Sequence, residues 1–82
     1  MIVLDGKRMT DRQGMHAELK EKLSLPEYYG ENLDALNDCL GERTGRELVV
    51  IDYSGEFLED CEDYALGMLR VFADNRIQVL LS

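Results

Sequence analysis

Eighty-two residues, 45% of them hydrophobic, are enough for one domain with one core built without disulfide or metal. Seventeen acids against nine Lys and Arg leave a formal charge of -8, which argues against direct binding of nucleic acid or an anionic membrane, since both need positive charge to displace counterions. A basic surface is the favoured partner, and the two cysteines, Cys39 and Cys61, lie outside any CxxC pair and read as free thiols of a reducing compartment.

In chain order, residues 2–4 form a short apolar, partly β-branched run closed by Asp5-Gly6, which predicts a buried strand and a turn. The apolar start meets Asp5 at once, so no signal peptide is expected, and no run nears the roughly 18 apolar residues of a membrane span. The expected location is the cytoplasm. Thr10 and Gln13 have capping-box spacing, and Met15, Leu19 and Leu23 recur every four residues until Pro26, predicting a first helix with Gly14 as its weak point. Asn32 suits an N-cap, and Leu33, Leu36 and Leu40 follow at i, i+3 and i+7, so a short second helix ends near Gly41. Residues 48–51 are a second β-branched run. Residues 54–75 hold one long or two short helices around Phe57, Cys61, Ala65, Met68 and Phe72, and residues 77–81 are a third strand. Apolar strands separated by helical segments predict an α/β fold: a three-stranded parallel sheet packed by helices, order β-α-α-β-α-β, with right-handed crossovers, in a single domain over 1–82.

The stretch LPEYYGENLDALNDCL carries the most chemistry. Asp34 and Asp38, four apart, share a helix face turned away from Leu33, Leu36 and Leu40. They read either as solvated surface acids or as a paired anionic site. Pro26 stiffens the loop before them and Gly30 permits a turn that other residues resist, so Tyr28 and Tyr29 are held in place; one ring is expected in the core, and the other packs or stands as an aromatic anchor beside the acids. Elsewhere, Glu47, Asp52, Glu56, Glu59, Asp60, Glu62 and Asp63 occur between Arg46 and Arg70 without an intervening Lys or Arg. These are expected to form a solvated face that attracts basic partners from a distance. Their spacing lacks a calcium-loop pattern, His16 has no second histidine and reads as a packing or surface residue, and carboxylates around Cys39 disfavour a thiolate. No catalytic constellation, cofactor or metal site is expected.

LPEYYGENLDAL followed by DCL, extended N-terminally through MHAELKEKL, with Gly6 after the first strand, Val71-Phe72 and a closing LLS, resembles the barstar family of intracellular inhibitors of secreted bacterial ribonuclease. The resemblance implies the same three-stranded parallel fold and inhibition by charge mimicry, in which an acidic helix and its preceding loop enter the ribonuclease active site with carboxylates in the places of RNA phosphates. By that resemblance Tyr28, Asn32, Asp34 and Asp38 match contact residues, Asp38 centrally, and Asp74 stands where the family has a peripheral glutamate. Where the family has tryptophan this chain has Asn37, and beyond the helix it reads Gly41-Glu42-Arg43-Thr44-Gly45, with no Trp anywhere. The expected ribonuclease-binding set is Tyr28, Tyr29, Gly30, Asn32, Asp34, Asn37, Asp38, Glu42 and Asp74. The expected partner is a basic extracellular or toxin-type ribonuclease, and the free protein is expected to be a metal-free monomer. The rival readings are a barstar-fold module with a target other than a ribonuclease, and a small acidic enzyme or metal-binding domain.

Overall fold

The computed structural model of the chain describes residues 1–43, 47–60 and 62–82. Strand β1 (Ile2–Asp5) leads into a 3-10 turn over Gly6–Arg8. Helices α1 (Arg12–Lys22) and α2 (Leu33–Glu42) follow, then strand β2 (Leu48–Asp52), helices α3 (Ser54–Asp60) and α4 (Glu62–Asp74), and strand β3 (Gln78–Leu81). The fold is α/β, and its three strands are all parallel in the order β1-β2-β3. The segment 54–75, open to one helix or two on sequence, forms two. Cys61, read as a free thiol and core residue, lies outside the described residues, while Cys39 is free.

Register decides which side of each strand is buried. Ile2 and Leu4 lie beside Val49 and Ile51, which in turn lie beside Val79 and Leu81. Alternate residues of a strand point to opposite faces, so Leu4, Val49 and Ile51 form the floor of the core, each at most 1% exposed. The helices close it from above: Met15 and Leu19 of α1, Leu36 and Leu40 of α2, Phe57 of α3, and Ala65, Met68 and Phe72 of α4 join one buried cluster. The other face carries the aligned row Val3, Val50 and Leu80, with Val3 and Leu80 exposed. The strands look uniformly apolar in sequence, yet their fully buried residues, Leu4, Val49 and Ile51, all lie on one face.

The cap of α1 falls one residue later than the Thr10 and Gln13 spacing suggests. Asp11 is the N-cap, and its carboxylate accepts a hydrogen bond from the Gly14 N–H at 2.6 Å, where the positive end of the helix also favours an anion. Gly14 looks like a helix defect in sequence. A Cβ there, however, would overlap the main-chain carbonyl oxygen of Arg8, so the 3-10 turn and the first turn of α1 can meet only because glycine has no side chain. Gly14→Ala gains about 1 kcal/mol of helix propensity. It loses more, because the overlap is with backbone that cannot rotate away, and overpacking of this kind costs at least about 1–3 kcal/mol. Thermal unfolding should show a lowered Tm; a raised Tm would show that the turn shifts freely.

Helices α1 and α4 stop in the same way. Ser24 and Arg76 adopt left-handed φ values of 53° and 59°, and Leu25 N–H donates to the Lys20 carbonyl at 2.9 Å as Ile77 N–H does to Phe72 at 3.0 Å. These are Schellman ends that glycine usually occupies, and neither position has one. Because the Arg76 side chain is exposed, Arg76→Gly should relieve the left-handed strain at little other cost. Stability is expected to rise by about 1 kcal/mol, read from urea denaturation at unchanged slope.

Candidate partner-binding face

The loop from α1 to α2 separates two adjacent tyrosines. The Tyr29 N–H donates to the Pro26 carbonyl at 3.0 Å, closing a turn that sends the two rings opposite ways: Tyr29 is 6% exposed and Tyr28 81%. Tyr29 is the core ring and Tyr28 the solvent-facing one. Between Pro26 and Asn32 the left-handed residue is Glu31, at φ 52°, and not Gly30 as the sequence suggests. Gly30 matters for space instead, since a Cβ there would lie 3.3 Å from the Ala35 Cβ and 3.4 Å from Asn32 Nδ2. Asn32 caps α2 as expected, its Oδ1 accepting from the Ala35 N–H at 2.7 Å while its Nδ2 donates to the Gly30 carbonyl at 3.2 Å. Its side chain is thereby tied into the loop.

Along α2, Leu36 and Leu40 are buried and Leu33 half-buried, while Asp34, Asn37, Asp38 and Glu42 are exposed on the other side. Among the described residues, Asp34, Asp38 and Glu42 take part in no ion pair. Tyr28, Tyr29, Gly30, Asp38 and Glu42 line one open concavity of about 330 Å³, together with Ala35 and Cys39. Asn32, Asp34, Asn37 and Asp74 do not line it. Asp34 sits in the first turn of α2, where the helix dipole favours its charge. Asn37 faces α4: Asn75 Nδ2 donates to its Oδ1 at 2.8 Å and to the Val71 carbonyl at 2.8 Å. The C-terminus of α4 is thus fastened to α2, with Asp74, exposed, one residue earlier.

Cys39 was not singled out as a lining residue on sequence, although it follows Asp38 directly. Burial, with Glu42 and Asp38 adding to it, pushes its thiol pKa up, so it stays protonated and is a poor nucleophile. The carboxylates invoked from sequence act in the right direction, but burial is the larger cause.

Behind the loop, His16 is buried and joins three elements. Its Nδ1 lies 2.5 Å from the Tyr29 hydroxyl and its Nε2 lies 2.6 Å from that of Tyr64 on α4, with both ring centroids at 5.6 Å. Of its two sequence readings, packing is the one that holds. The Arg12 guanidinium lies 4.5 Å from the centre of the Tyr64 ring, and a second concavity of about 410 Å³ is lined by Arg12, Gln13, His16, Glu31, Asn32 and Tyr64. Tyr64 had no signal beyond being an aromatic residue after an acidic run, and its partner is 48 residues away.

The downstream acids are mostly solvated. Glu47 pairs with Arg43 at 2.5 Å, whereas Glu56, Glu59, Glu62 and Asp63 are exposed. Among the described residues no group of three or more His, Cys, Asp or Glu is placed to hold a metal ion. No helix among them is long and apolar enough to cross a membrane.

These features define a small α/β protein with a three-stranded parallel sheet, one face of which supports an acidic helix whose exposed acids make no ion pair among the described residues, beside an exposed tyrosine. The model of the family described as Barstar (barnase inhibitor) matches residues 1–79, and the chain belongs to that family. A protein of Bacillus subtilis (strain 168) named "Putative ribonuclease inhibitor YrdF" is 36% identical over 73 residues, covering 84% of this chain and 80% of that relative.

Proposed function

We propose that this chain is an intracellular inhibitor of a barnase-like or related microbial ribonuclease, and that α2 with loop 26–31 enters the enzyme's active site. The observation that carries this reading is the concavity in which Asp38 and Glu42, with no ion pair among the described residues, stand beside exposed Tyr28. A ribonuclease site must be cationic to hold RNA phosphates. Exposed carboxylates can make charge-assisted hydrogen bonds to those cations, and an exposed ring on a turn closed by its own backbone is a suitable anchor beside them. Asp34 extends the anionic strip by one turn, and Asp74, beside the Asn37–Asn75 link, stands at its edge. The chain acts as a plug and not as a catalyst, it works in the cytoplasm, and its partner is basic.

The test is inhibition of RNA cleavage by barnase and by ribonucleases encoded beside the gene for this chain. Stoichiometric loss of cleavage is expected, with association that slows as salt is raised because the acidic field steers encounter. A stable complex with a protein that is not a nuclease, and no effect on any of these enzymes, would favour the alternative of a barstar-fold binding module with another target.

A further inference from the structure

The hydroxyl of Tyr29 has one hydrogen-bond partner among the described residues, His16 Nδ1 at 2.5 Å, in a side chain that is 6% exposed. Tyr64, which meets Nε2 at 2.6 Å, is half-buried at the wall of the second concavity. A neutral imidazole has one N–H and one lone pair. The proton of the Tyr29 hydroxyl has no other acceptor among the described residues, so it is given to a bare Nδ1, and Nε2–H donates to the Tyr64 oxygen, whose own proton can turn to the open concavity. This tautomer follows from the network and not from visible hydrogens. Adding a proton to His16 makes Nδ1 a donor as well. Tyr29 then loses its one acceptor among the described residues, and a largely buried hydroxyl in that state is disfavoured.

We infer that His16 is a positioning residue for the partner-binding loop, holding it through Tyr29 only while the imidazole is neutral, so that the loop loosens and binding weakens when acid protonates it. The binding half of this inference rests on the ribonuclease reading above; the loop half does not. Tyr29 lines the concavity between Tyr28 and Gly30, so a change in its hydrogen bond is transmitted along the loop without any contact between His16 and a partner. The groups that face this junction are Tyr29 and Glu31 from the loop, Tyr64 from α4, Arg12 of α1 against the Tyr64 ring, and Cys39 of α2 near Tyr29. Burial lowers the His16 pKa from the ordinary histidine value of 6.5, against a smaller upward pull from Glu31. The unfolded chain therefore takes up a proton at a higher pH than the folded one. The stabilising contribution is fully present above about pH 6.5 and is lost as pH falls below it.

The free protein supplies the first arm of the test. In an NMR titration from about pH 7.5 down through the His16 midpoint, which lies below the ordinary histidine value, the backbone amides of Tyr28, Gly30 and Glu31 should follow the same midpoint as the His16 ring protons. Tyr29→Phe keeps the ring and removes the hydroxyl, so the loop amides should cease to follow His16. His16→Asn places a non-titrating acceptor near the Nδ1 position, so loop and fold should become independent of pH over this range. With barnase as the probe ribonuclease, the wild-type complex should dissociate faster below the His16 midpoint read by NMR than at about pH 7.5, relative to the same ratio for either variant. Titration of the enzyme itself is common to all three and cancels. Loop amides that stay still while His16 titrates, or equal pH ratios for wild type and Tyr29→Phe, would overturn the inference. Should barnase not bind at all, the ribonuclease reading fails for that enzyme and the NMR arm alone decides the positioning role. Should His16→Asn not fold, Tyr29→Phe carries the comparison.

Discussion

Asp38→Ala is expected to weaken ribonuclease binding by about 2–5 kcal/mol or more, mainly through faster dissociation, a scale drawn in part from the barnase and barstar pair of this same family, whose largest effects exceed it. The physical reason is asymmetric. Truncation leaves the cationic groups of the enzyme buried without a partner, and that penalty exceeds whatever the intact pair contributes. Asp63→Ala removes an equal charge from the first turn of α4, outside the concavity that Asp38 lines. It should lower the association rate slightly, most visibly at low salt, and leave dissociation nearly unchanged. Both carboxylates are exposed, so both variants should stay folded, with Asp63→Ala giving up at most a few tenths to about 1 kcal/mol of helix-dipole stabilisation. Stopped-flow association and dissociation rates for the two variants decide the matter. Equal losses would mean that net charge alone draws the partner, and Asp38 would have to be withdrawn from the active-site plug.

Phe57→Ala should be among the most destabilising single changes in the chain. Helix α3 has only 7 residues, too few to persist without tertiary packing, and its Phe57 is fully buried, at 0% exposure. Removing such a ring typically costs about 3–5 kcal/mol, because the lost burial is compounded by a cavity that the surroundings fill only partly. A chain of 82 residues is expected to have about 4–12 kcal/mol in total, so the variant should lie close to its unfolding limit. Urea denaturation should show a much lower midpoint at similar slope. A loss under about 1 kcal/mol would mean that α3 repacks onto the turn at Gly6–Arg8 without its ring.

Much of the architecture was legible because its signals are local. The β-branched runs, the four-residue recurrence of Met15, Leu19 and Leu23, the cap at Asn32 and the stop at Pro26 each need only a few neighbouring residues. So does the separation of Leu36 and Leu40 from Asp34 and Asp38, since a helix turns 100° per residue whatever surrounds it. From these alone came the element order, the parallel sheet and the acidic face of α2. The motif LPEYYGENLDAL added the family and a list of candidate contacts, which composition and periodicity could not supply.

What the tertiary structure decided depended on groups far apart in the chain. Sequence shows two adjacent tyrosines but not which is core; His16, arriving from α1, accepts the Tyr29 hydroxyl and leaves Tyr28 81% exposed. Gly14 seems a defect until the Arg8 carbonyl is seen against it. Asn37 reads only as a missing ring until Asn75, 38 residues later, bonds to it and brings the end of α4 to α2. The one-sided burial of the sheet, with Val3 and Leu80 left outside, follows from register across three strands and from where the helices lie. Periodicity reports which residues share a face, because that is fixed by the geometry of one element. Which face is covered, which hydroxyl finds an acceptor and which glycine lies against a carbonyl are set by contacts between elements, and these exist only once the chain has closed on itself.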